Sequence, residues 1–411
     1  MIDINLIRND IKKVKVGVSK KGYDTSIVDH ILKLDKKRLE LLQKVEDLRH
    51  ERNVVAKEQN IERGKSIKEE LKQLEPELES AESQVESLLQ EIPNLPQEGV
   101  PVGEGEKDNV TLHKWGEPKE FSFSARDHVE LGKLLDILDF DTAAKVSGSD
   151  FYYLKNDGVL LELALAQYGI KFLTERGFIP VITPDLARER YYLGTGYLPK
   201  GDEAQTYKIE GTDLGLIATA EVTLAGYHAD ETLNEKDLPK MYAGYSHCFR
   251  MESGAYGKYS KGLYRVHQFS KVEMFVYALP EESEKIHEEL LKIEEEFWQS
   301  LEIPYRVIEM CTGDLGAQAA KKFDIEAWMP GRGDYGEVTS TSNTTDYQAR
   351  NLNIRFRRGS ESEYAHTLNG TLITSSRGII SILENYQLEN GSIVIPEVLR
   401  PYTGKDKITA S

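Results

Sequence analysis

The chain has 411 residues, of which 39% are hydrophobic and 29% are charged, and its formal net charge is -17 at pH 7. At roughly 150 residues per domain, this length predicts two or three domains. No run approaches the roughly 20 apolar residues that cross a bilayer, and the start lacks a signal peptide, so we expect no membrane partner and a cytoplasmic location. Only two cysteines are present, Cys248 and Cys311, which excludes a disulfide framework, and we expect no zinc.

The negative charge is unevenly distributed along the chain. A net charge of -17 alone argues against a nucleic-acid partner, because phosphate contacts need basic surface. However, residues 33–68 contain 11 basic and 7 acidic side chains, whereas residues 69–90 contain 1 basic and 7 acidic side chains. Charge alone leaves two interpretations open: a solvated helix pair of mixed charge, or a basic helix face beside an acidic supporting helix.

Two long helices are predicted between about residues 27 and 91, joined by a polar turn at 59–65. Apolar residues recur every three or four positions in both helices, which is typical of a coiled coil and predicts an antiparallel hairpin. At ~1.5 Å per residue the hairpin forms an arm of about 40 Å. The predicted seam positions are Ile31, Leu34, Arg38, Leu41, Val45, Leu48, Arg52 and Val55, then Ile67, Leu71, Leu74, Leu78, Ala81, Val85 and Leu88. Pro76 removes a backbone donor, so we expect a kink there.

The remaining chain is predicted to form a mixed domain. Glycine, glutamate and proline at 101–118 predict a linker between an N-terminal domain at 1–100 and a second domain at 119–411. Helices are predicted at 127–138, 159–176, 280–301 and 378–389, and strands at 179–182, 241–245, 272–276, 305–308 and 353–357. Because the strands cluster rather than alternate with helices, an α+β fold with an antiparallel sheet is favoured over a doubly wound fold.

A glycine-rich segment matches the spacing of a dinucleotide-binding loop at Gly331, Gly333 and Gly336. That loop requires a strand before it and a helix after it, whereas a Thr/Ser-rich segment follows here. We therefore interpret the segment as a turn. No P-loop sequence is present, so any nucleotide must be held in another way.

Three segments carry residues suited to chemistry. Residues 249–273 place arginines, carboxylates and an aromatic side chain on a predicted hairpin, for which a surface hairpin with weak ion pairs is the alternative. Arg377 lies at a predicted helix start after a hydroxyl-rich strand, where a helix N-terminus and a guanidinium favour phosphate; an exposed arginine on an amphipathic helix is the alternative. Glu337 and Ser340 supply hard oxygen ligands that suit Mg²⁺, with a solvated strand as the alternative.

Taken in order, these segments resemble the class II aminoacyl-tRNA synthetases, and among them the seryl-tRNA synthetases, from Met1 to about Tyr402. The residues 177–184 resemble motif 1, 249–269 resemble motif 2, and 371–402 resemble motif 3. The helical hairpin resembles the family's tRNA-binding arm. The resemblance implies a class II catalytic domain with a central antiparallel sheet flanked by helices.

The family resemblance also implies the reaction and its partners. We expect a homodimer that activates L-serine with ATP and Mg²⁺ and transfers it to tRNA(Ser); selenocysteine tRNA stays open as a further substrate. Lys258 and Lys261 are expected to meet the tRNA acceptor end.

Residue roles follow from the same resemblance. Catalytic roles are implied for Arg250, Arg265 and Arg377. The implied ATP-binding residues are Arg250, Met251, Glu252, Phe269, Glu337, Val338, Thr339, Ser340 and Arg377. The implied serine-binding residues are Thr219, Ala220, Glu221, Arg250, Glu273, Asn369 and Thr371. Glu337 and Ser340 are the implied Mg²⁺ ligands.

Two other functions are weighed against this one. A serine-activating relative could deliver serine to a carrier protein, but the full arm argues against it. A catalytically inactive tRNA-binding protein is the second alternative, and the intact arginines Arg250, Arg265 and Arg377 argue against it.

Overall fold

A computed structural model describes residues 1–197, 206–252 and 262–410, which divide into two compact units, Met1–Pro96 and Gln97–Ser411. The α-helices are α1 Ile4–Asn9, α2 Ile11–Lys20, α3 Ser26–Lys57, α4 Ile61–Glu91, α5 His128–Leu134, α6 Phe140–Ser147, α7 Asp157–Thr174, α8 Glu189–Thr195, α9 Ala220–Gly226, α10 Ser283–Ser300, α11 Tyr347–Leu352, α12 Ser375–Asn385 and α13 Arg400–Thr403. Within these described ranges, no helix is long and apolar enough to cross a membrane.

The strands are β1 Val110–Trp115, β2 Leu138–Asp139, β3 Tyr153–Leu154, β4 Ile179–Ile182, β5 Leu186–Arg188, β6 Leu214–Leu216, β7 Thr232–Asn234, β8 Lys240–Phe249, β9 Gln268–Ala278, β10 Tyr305–Glu309, β11 Lys321–Met329, β12 Asp334–Asn343, β13 Arg355–Arg358, β14 Glu361–Tyr364, β15 His366–Thr374, β16 Ile393–Val394 and β17 Lys407–Ile408. Short 3₁₀ turns lie between several of them, including Gly262–Tyr264.

In the first unit, α3 and α4 form the predicted antiparallel hairpin. Ion pairs cross it from Arg49 to Glu75 and, nearer the tip, from Arg63 to Glu51. Most predicted seam positions are buried: Ile31, Leu41, Val45, Val55, Ile67, Leu71, Leu78, Ala81 and Val85. The turn is shorter than predicted, because the side chain of Asn60 accepts a hydrogen bond from the Arg63 amide (3.1 Å) and starts α4 at Ile61.

One buried position of the hairpin differs from the predicted seam. Leu89, not Leu88, is buried near the end of α4, because a straight helix drifts relative to a strict seven-residue repeat. Arg52 is exposed, as expected for a charged residue at a seam position. Pro76 lies inside α4, which continues through it from Ile61 to Glu91.

A buried carboxylate joins α1 to α3 within the first unit. Asp35 is 1% exposed and accepts hydrogen bonds from Arg8 Nε (2.6 Å), Arg8 Nη2 (2.8 Å) and Arg38 Nε (3.0 Å). Burial raises the pKa of the Asp35 carboxyl, but the hydrogen bonds and charges of the two arginines outweigh it and hold that pKa below its usual range. The ionised carboxylate therefore stabilises the folded unit.

Replacing Asp35 by alanine is expected to destabilise the first unit by about 3 kcal/mol, because two partly buried guanidinium groups lose their shared partner. Since the folded-state pKa is lowered, the contribution of Asp35 is present above about pH 4 and is lost as pH falls below it. Thermal unfolding of the full chain at pH 7 and pH 3 measures this. The exposed pair of Lys15 and Asp29 provides the control, and Asp29→Ala should cost less than about 1 kcal/mol. Equal losses in the two variants would contradict this account.

In the second unit, eight strands form one sheet in the order β1-β10-β11-β12-β15-β9-β8-β4. Neighbouring strands are antiparallel except for β4 and β8, which are parallel. This sheet, flanked by α7, α10 and α12, confirms the predicted α+β fold with a central antiparallel sheet. The core lies between the sheet and these helices and includes Leu161, Met274, Trp298 and Ile379.

Two predicted segments differ from the structure. The predicted linker at 101–118 contains β1, which pairs with β10 at the sheet edge, and the second unit starts at Gln97. The side chains of β1 are mostly exposed, so the strand lacks the alternating apolar pattern that reveals a half-buried strand. The strand predicted at 353–357 is β13, Arg355–Arg358, and it belongs to a separate three-stranded sheet with β14 and β7.

The predicted hairpin at 249–273 is part of the central sheet. Strands β8 and β9 pair from Lys240 opposite Tyr277 to Phe249 opposite Gln268. Almost every residue of β9 is buried, so the alternative of a surface hairpin is wrong. Residues 253–261, which include Lys258 and Lys261, lie outside the described part of the chain.

Candidate active site

A cavity of about 270 Å³ opens over the central strands of the second unit. It is lined from the segment that follows β8, from β9, β11, β12 and β15, from the start of α12, and from the turn Gly262–Tyr264. Eleven of the residues predicted from the sequence line it: Glu221, Arg250, Glu252, Phe269, Glu337, Val338, Thr339, Ser340, Asn369, Thr371 and Arg377. Residues separated by more than 100 positions in the chain therefore converge on one site.

The other five predicted residues lie beside the cavity. Thr219 caps α9 by accepting a hydrogen bond from the Glu221 amide (3.2 Å), and Ala220 is buried next to it. Glu273 lies fully buried behind Asn369 and Thr371. The two remaining residues are more exposed: the Arg265 side chain is 42% exposed and Met251 is 39% exposed.

One end of the cavity contains a cluster of carboxylates and amides. Glu221 accepts hydrogen bonds from Tyr197 Oη (2.9 Å), Gln348 Nε2 (2.7 Å) and Asn369 Nδ2 (3.3 Å). Asn369 Nδ2 also donates to Glu273 Oε1 at 3.2 Å, which joins the two carboxylates. This arrangement provides negative charge and fixed acceptors for a small cation.

A second set of contacts surrounds Glu273 at the base of this end. Thr371 Oγ1 donates to Glu273 Oε2 (3.3 Å), and Lys271 forms an ion pair with the same carboxylate. Lys271 Nζ also lies 3.4 Å from Thr371 Oγ1. All three groups are at most 8% exposed. A ligand hydroxyl at this point can form hydrogen bonds with Thr371 and Glu273, whereas an apolar group can form none.

The Glu221 carboxyl is set to titrate near neutral pH. Burial raises its pKa, the negative charge of Glu273 raises it further, and the resulting pKa is about 7. Because the group is an acid with a raised pKa, it is neutral below pH 7 and negative above it.

We therefore expect kcat/KM for a substrate that carries an ammonium group to rise as pH increases from 6 to 8. The free enzyme's Glu221 must be ionised to attract the ammonium, and kcat/KM reports groups of the free enzyme. Steady-state kinetics across this range measures the effect, and the Glu221→Gln variant should lose the step with an apparent pKa near 7. An unchanged step in Glu221→Gln would assign the titration to another group.

The other end of the cavity is rich in arginine. Arg250 lies over the Phe269 ring, 5.2 Å from its centroid, and its Nε donates to the Ala218 carbonyl at 3.3 Å. Arg377, at the start of α12, pairs with Glu337 (3.0 Å) and lies 4.8 Å from the centroid of the Tyr264 ring. Guanidinium groups facing a cavity beside a helix N-terminus suit a polyphosphate.

Glu252 closes this end at the rim. It accepts a hydrogen bond from Arg265 Nη1 at 2.9 Å, and its backbone has a φ of 48°, a left-handed conformation that non-glycine residues seldom adopt. Such conformations are concentrated at functional sites. Glu252 lies two residues after Arg250 and is hydrogen-bonded to Arg265. The segment that follows β8 therefore holds the two predicted arginines close together.

Glu337 remains ionised at this end. Partial burial raises the pKa of its carboxyl, but the charges of Arg377, Lys322 and Arg250 outweigh that effect and lower the pKa to about 2. Glu337 and Ser340 both line the cavity and present oxygen ligands to it. The described residues contain no group of three His, Cys, Asp or Glu side chains that could hold a metal. A Mg²⁺ ion held by one carboxylate together with ligand phosphates fits this donor set, because Mg²⁺ needs few protein ligands there.

The sequence prediction missed several cavity residues: Tyr197, Tyr264, Lys271, Asp314, Gln318 and Lys322. Lys271 and Tyr264 could have been predicted from the sequence, because both lie in the same segment as Arg265 and Phe269. Asp314 follows no recognisable motif; it accepts a hydrogen bond from Asn109 Nδ2 (2.7 Å) and comes to the cavity only through the tertiary fold.

Comparison with known proteins identifies the family. Residues 1–96 match the seryl-tRNA synthetase N-terminal domain, and residues 206–386 match the class II tRNA synthetase core domain (G, H, P, S and T). A serine–tRNA ligase from Dictyoglomus thermophilum is 53% identical over 99% of this chain and 99% of its own length. The chain belongs to the seryl-tRNA synthetase family.

Solved structures of seryl-tRNA synthetases agree with this assignment. The enzyme from Pyrococcus horikoshii, solved in complex with ATP, superposes with a TM-score of 0.94 at 45% identity and full coverage of both chains. The cytoplasmic serine–tRNA ligase from Naegleria fowleri, solved with AMP, superposes with a TM-score of 0.90 at 35% identity, covering 100% of this chain and 99% of its own. The family charges tRNA with serine, so the predicted enzyme class, ligase activity and ATP dependence are confirmed.

Proposed function

We propose that this chain forms seryl-adenylate in the cavity described above and transfers the serine to tRNA(Ser). The observation that carries the proposal is the division of one cavity into a carboxylate-and-hydroxyl end and an arginine end. The first end suits the ammonium and hydroxyl of serine, and the second suits ATP. Arg250 lines the same cavity and is assigned to both substrates.

The serine end explains the choice of amino acid. Glu221 and Asn369 receive the substrate ammonium, and Glu273 and Thr371 pair with the side-chain hydroxyl. Alanine lacks that hydroxyl and cannot form these hydrogen bonds, so a site of this type discriminates strongly against it. Thr219 and Ala220 support the site indirectly, because they carry Glu221 at the start of α9.

The ATP end holds the nucleotide by stacking and charge. Phe269 and Arg377 are assigned to the two faces of adenine, and Glu252 and the adjacent Met251 backbone to its edge. Arg265 and Arg377 are assigned to the triphosphate. Glu337 and Ser340, together with the adjoining residues Val338 and Thr339, form the strand on which Mg²⁺ would be held. When bound, Mg²⁺ neutralises phosphate charge and favours departure of pyrophosphate.

The reaction requires no nucleophile from the protein. The serine carboxylate oxygen attacks the α-phosphorus, a new phosphorus–oxygen bond forms, and the bond to pyrophosphate breaks. Arg250 stabilises the charge that develops on the α-phosphate and holds the two reactants together. The terminal ribose hydroxyl of tRNA then attacks the adenylate carbonyl, loses its proton and releases AMP.

We assign tRNA binding to the helical hairpin of the first unit. Exposed basic side chains lie along α3: Lys33, Lys36, Lys37, Lys44, Arg49, Arg52 and Lys57. Phosphate contacts of this kind bind the RNA backbone without reading its sequence directly. Lys258 and Lys261 are assigned to the acceptor end on the basis of the family resemblance alone.

We also propose a homodimer formed through α7 and β4. The strand β4 is at an edge of the central sheet, and Ile179 and Ile182 on it are 53% and 80% exposed. Val159, Leu160 and Leu163 on α7 are exposed as well. Apolar groups on an unpaired edge strand and an adjoining helix suit contact with a second copy of the chain.

A cytoplasmic location is proposed because both cysteines, Cys248 and Cys311, are buried free thiols.

The direct test of the proposed function is charging of purified tRNA(Ser) with radiolabelled serine and ATP. We expect ester-linked serine on tRNA that depends on ATP and Mg²⁺. Labelling of a carrier protein in place of tRNA would support the carrier-protein alternative. Selenocysteine tRNA, tested in parallel, decides whether it is a second substrate.

Shortening the arm tests the role of the hairpin separately. Arg49 pairs with Glu75, so residues 44 and 80, five positions closer to the base on each helix, lie opposite one another. Replacing residues 45–79 by a short Gly/Ser turn should raise KM for tRNA(Ser) by at least about tenfold, because phosphate contacts are lost. Serine-dependent ATP–pyrophosphate exchange without tRNA should stay within twofold of the full chain. An unchanged KM for tRNA would remove the arm from the proposed mechanism.

A further inference from the structure

A buried histidine links three segments at the ATP end of the cavity, although it does not line the cavity itself. His128 is the first residue of α5 and is 7% exposed. Its Nδ1 lies 2.8 Å from Glu384 Oε1, and its Nε2 accepts a hydrogen bond from the Leu263 amide at 3.2 Å. Glu384 is a buried residue of α12, the helix that carries Arg377.

The hydrogen bonds determine which form of His128 is present. A backbone amide can only donate, so Nε2 must be unprotonated, and Nδ1 carries the proton that is donated to the Glu384 carboxylate. His128 is therefore a neutral imidazole that joins a donor on one side to an acceptor on the other. No other arrangement of protons satisfies both contacts.

Glu384 extends the same network to a fourth segment. Its Oε2 accepts a hydrogen bond from the Gly331 amide (2.9 Å) in the turn between β11 and β12, and its Oε1 also accepts from the His128 amide (3.1 Å). A Cβ atom at Gly331 would lie 3.0 Å from the Glu384 carboxyl carbon. The turn can approach Glu384 this closely only because glycine occupies the position.

The turn Gly262–Tyr264 is fitted to the histidine in the same way. Gly262 has a φ of 67°, and a Cβ there would lie 2.3 Å from His128 Nε2. Tyr264, two residues later, lies between two arginines: the Arg377 guanidinium is 4.8 Å from its ring centroid and the Arg332 guanidinium is 5.0 Å from it. Arg332 comes from the β11–β12 turn, so side chains from that turn, from α12 and from the Gly262–Tyr264 turn meet at the Tyr264 ring.

We propose that His128 is a positioning residue for ATP: it fixes the Gly262–Tyr264 turn to Glu384 and thereby holds the Tyr264 ring against Arg377. Ordering this stack before ATP arrives lowers the entropic cost of binding, since the guanidinium is already oriented. The inference rests on the proposed assignment of Arg377 to ATP. It predicts that loss of the His128 contacts raises KM for ATP without changing KM for serine.

Two substitutions separate the two hydrogen bonds of the imidazole. In His128→Asn, the amide nitrogen can replace Nδ1 and donate to Glu384, but nothing reaches the Leu263 amide. In His128→Gln, the side-chain amide oxygen can replace Nε2 and accept a hydrogen bond from the Leu263 amide. Glu384 then still accepts hydrogen bonds from the backbone amides of residue 128 and Gly331. We expect KM for ATP in ATP–pyrophosphate exchange to rise about tenfold in His128→Asn and less than threefold in His128→Gln. KM for serine should stay within twofold in both variants.

His228 provides a matched control. It is buried, its two ring nitrogens contact Glu231 and Tyr242, and it does not line the cavity. His228→Asn should lower thermal stability without changing KM for ATP. If KM for ATP and KM for serine rise together in His128→Asn, or if neither changes, the proposed role of His128 is wrong.

Two further measurements keep the proposal testable if His128→Asn does not fold or turnover is lost. Gly262→Ala places a methyl group against His128 Nε2. This variant should show the same rise in KM for ATP, with KM for serine unchanged. ATP affinity measured by calorimetry without serine should fall about tenfold in either variant, and unchanged affinity would overturn the proposal. Absence of serine-dependent exchange in the unmodified chain would contradict the proposed function instead, while the calorimetric result would still decide the role of His128.

Discussion

Replacing Arg250 by alanine is expected to lower serine-dependent ATP–pyrophosphate exchange by about a hundredfold to a thousandfold. Arg250 lines the cavity, and its guanidinium is assigned to both the serine carboxylate and the α-phosphate. Loss of one such group from a preorganised site costs roughly 3–4 kcal/mol in the transition state, or about two to three powers of ten in rate. Affinity for tRNA(Ser), which is assigned to the helical hairpin, should stay within about threefold.

Arg188→Ala is the control for this experiment. Its side chain is 71% exposed and lies 3.9 Å from Asp213, so its removal should alter exchange by less than twofold. Thermal unfolding of both variants excludes a general loss of structure. Normal exchange in Arg250→Ala together with weakened tRNA binding would contradict the site assignment.

Replacing Thr371 by valine is expected to reduce the preference for serine over alanine. The substitution preserves shape but removes the hydroxyl that bonds to Glu273, and a serine side chain loses one of its two assigned partners. We expect kcat/KM for serine to fall by about tenfold to a hundredfold, because an uncompensated hydrogen bond in a buried site costs about 1–3 kcal/mol. For alanine, which makes no such bond, kcat/KM should change by less than threefold.

Thr174→Val serves as the control for the threonine substitution. The Thr174 hydroxyl donates to the Ile170 carbonyl within α7, and Thr174 is exposed and does not line the cavity. Removal of this hydroxyl should leave kcat/KM unchanged for both serine and alanine. If Thr371→Val lowers the values for serine and alanine by the same factor, the hydroxyl is structural, and the recognition of serine must lie elsewhere.

The helical hairpin could be predicted well because its signal is local. Spacing of three and four residues places Leu41, Val45 and Leu78 on one side of each helix, and the same spacing buries them in the structure. The strand β1 could not be predicted, because its pairing with β10 crosses nearly 200 residues and its own side chains are exposed.

The site residues divide in the same way. Arg250, Glu252 and Phe269 lie in one segment and could be assigned from that segment and its family resemblance. The carboxylate cluster depends on tertiary contacts: Glu221 at the start of α9 receives hydrogen bonds from Tyr197, which follows α8, and from Gln348 in α11. Their sequence separation hides this arrangement, and the raised pKa of Glu221 follows from burial that only the folded chain creates.

The most direct test of the central claim is ATP–pyrophosphate exchange with the purified chain, without tRNA, across serine, threonine, alanine and glycine. The proposed site predicts exchange with serine at least about a hundredfold faster than with any of the other three, because only serine pairs with Glu273 and Thr371 and fits the same space. Exchange with none of the four, or equal exchange with serine and alanine, would contradict the claim that this cavity selects and activates serine.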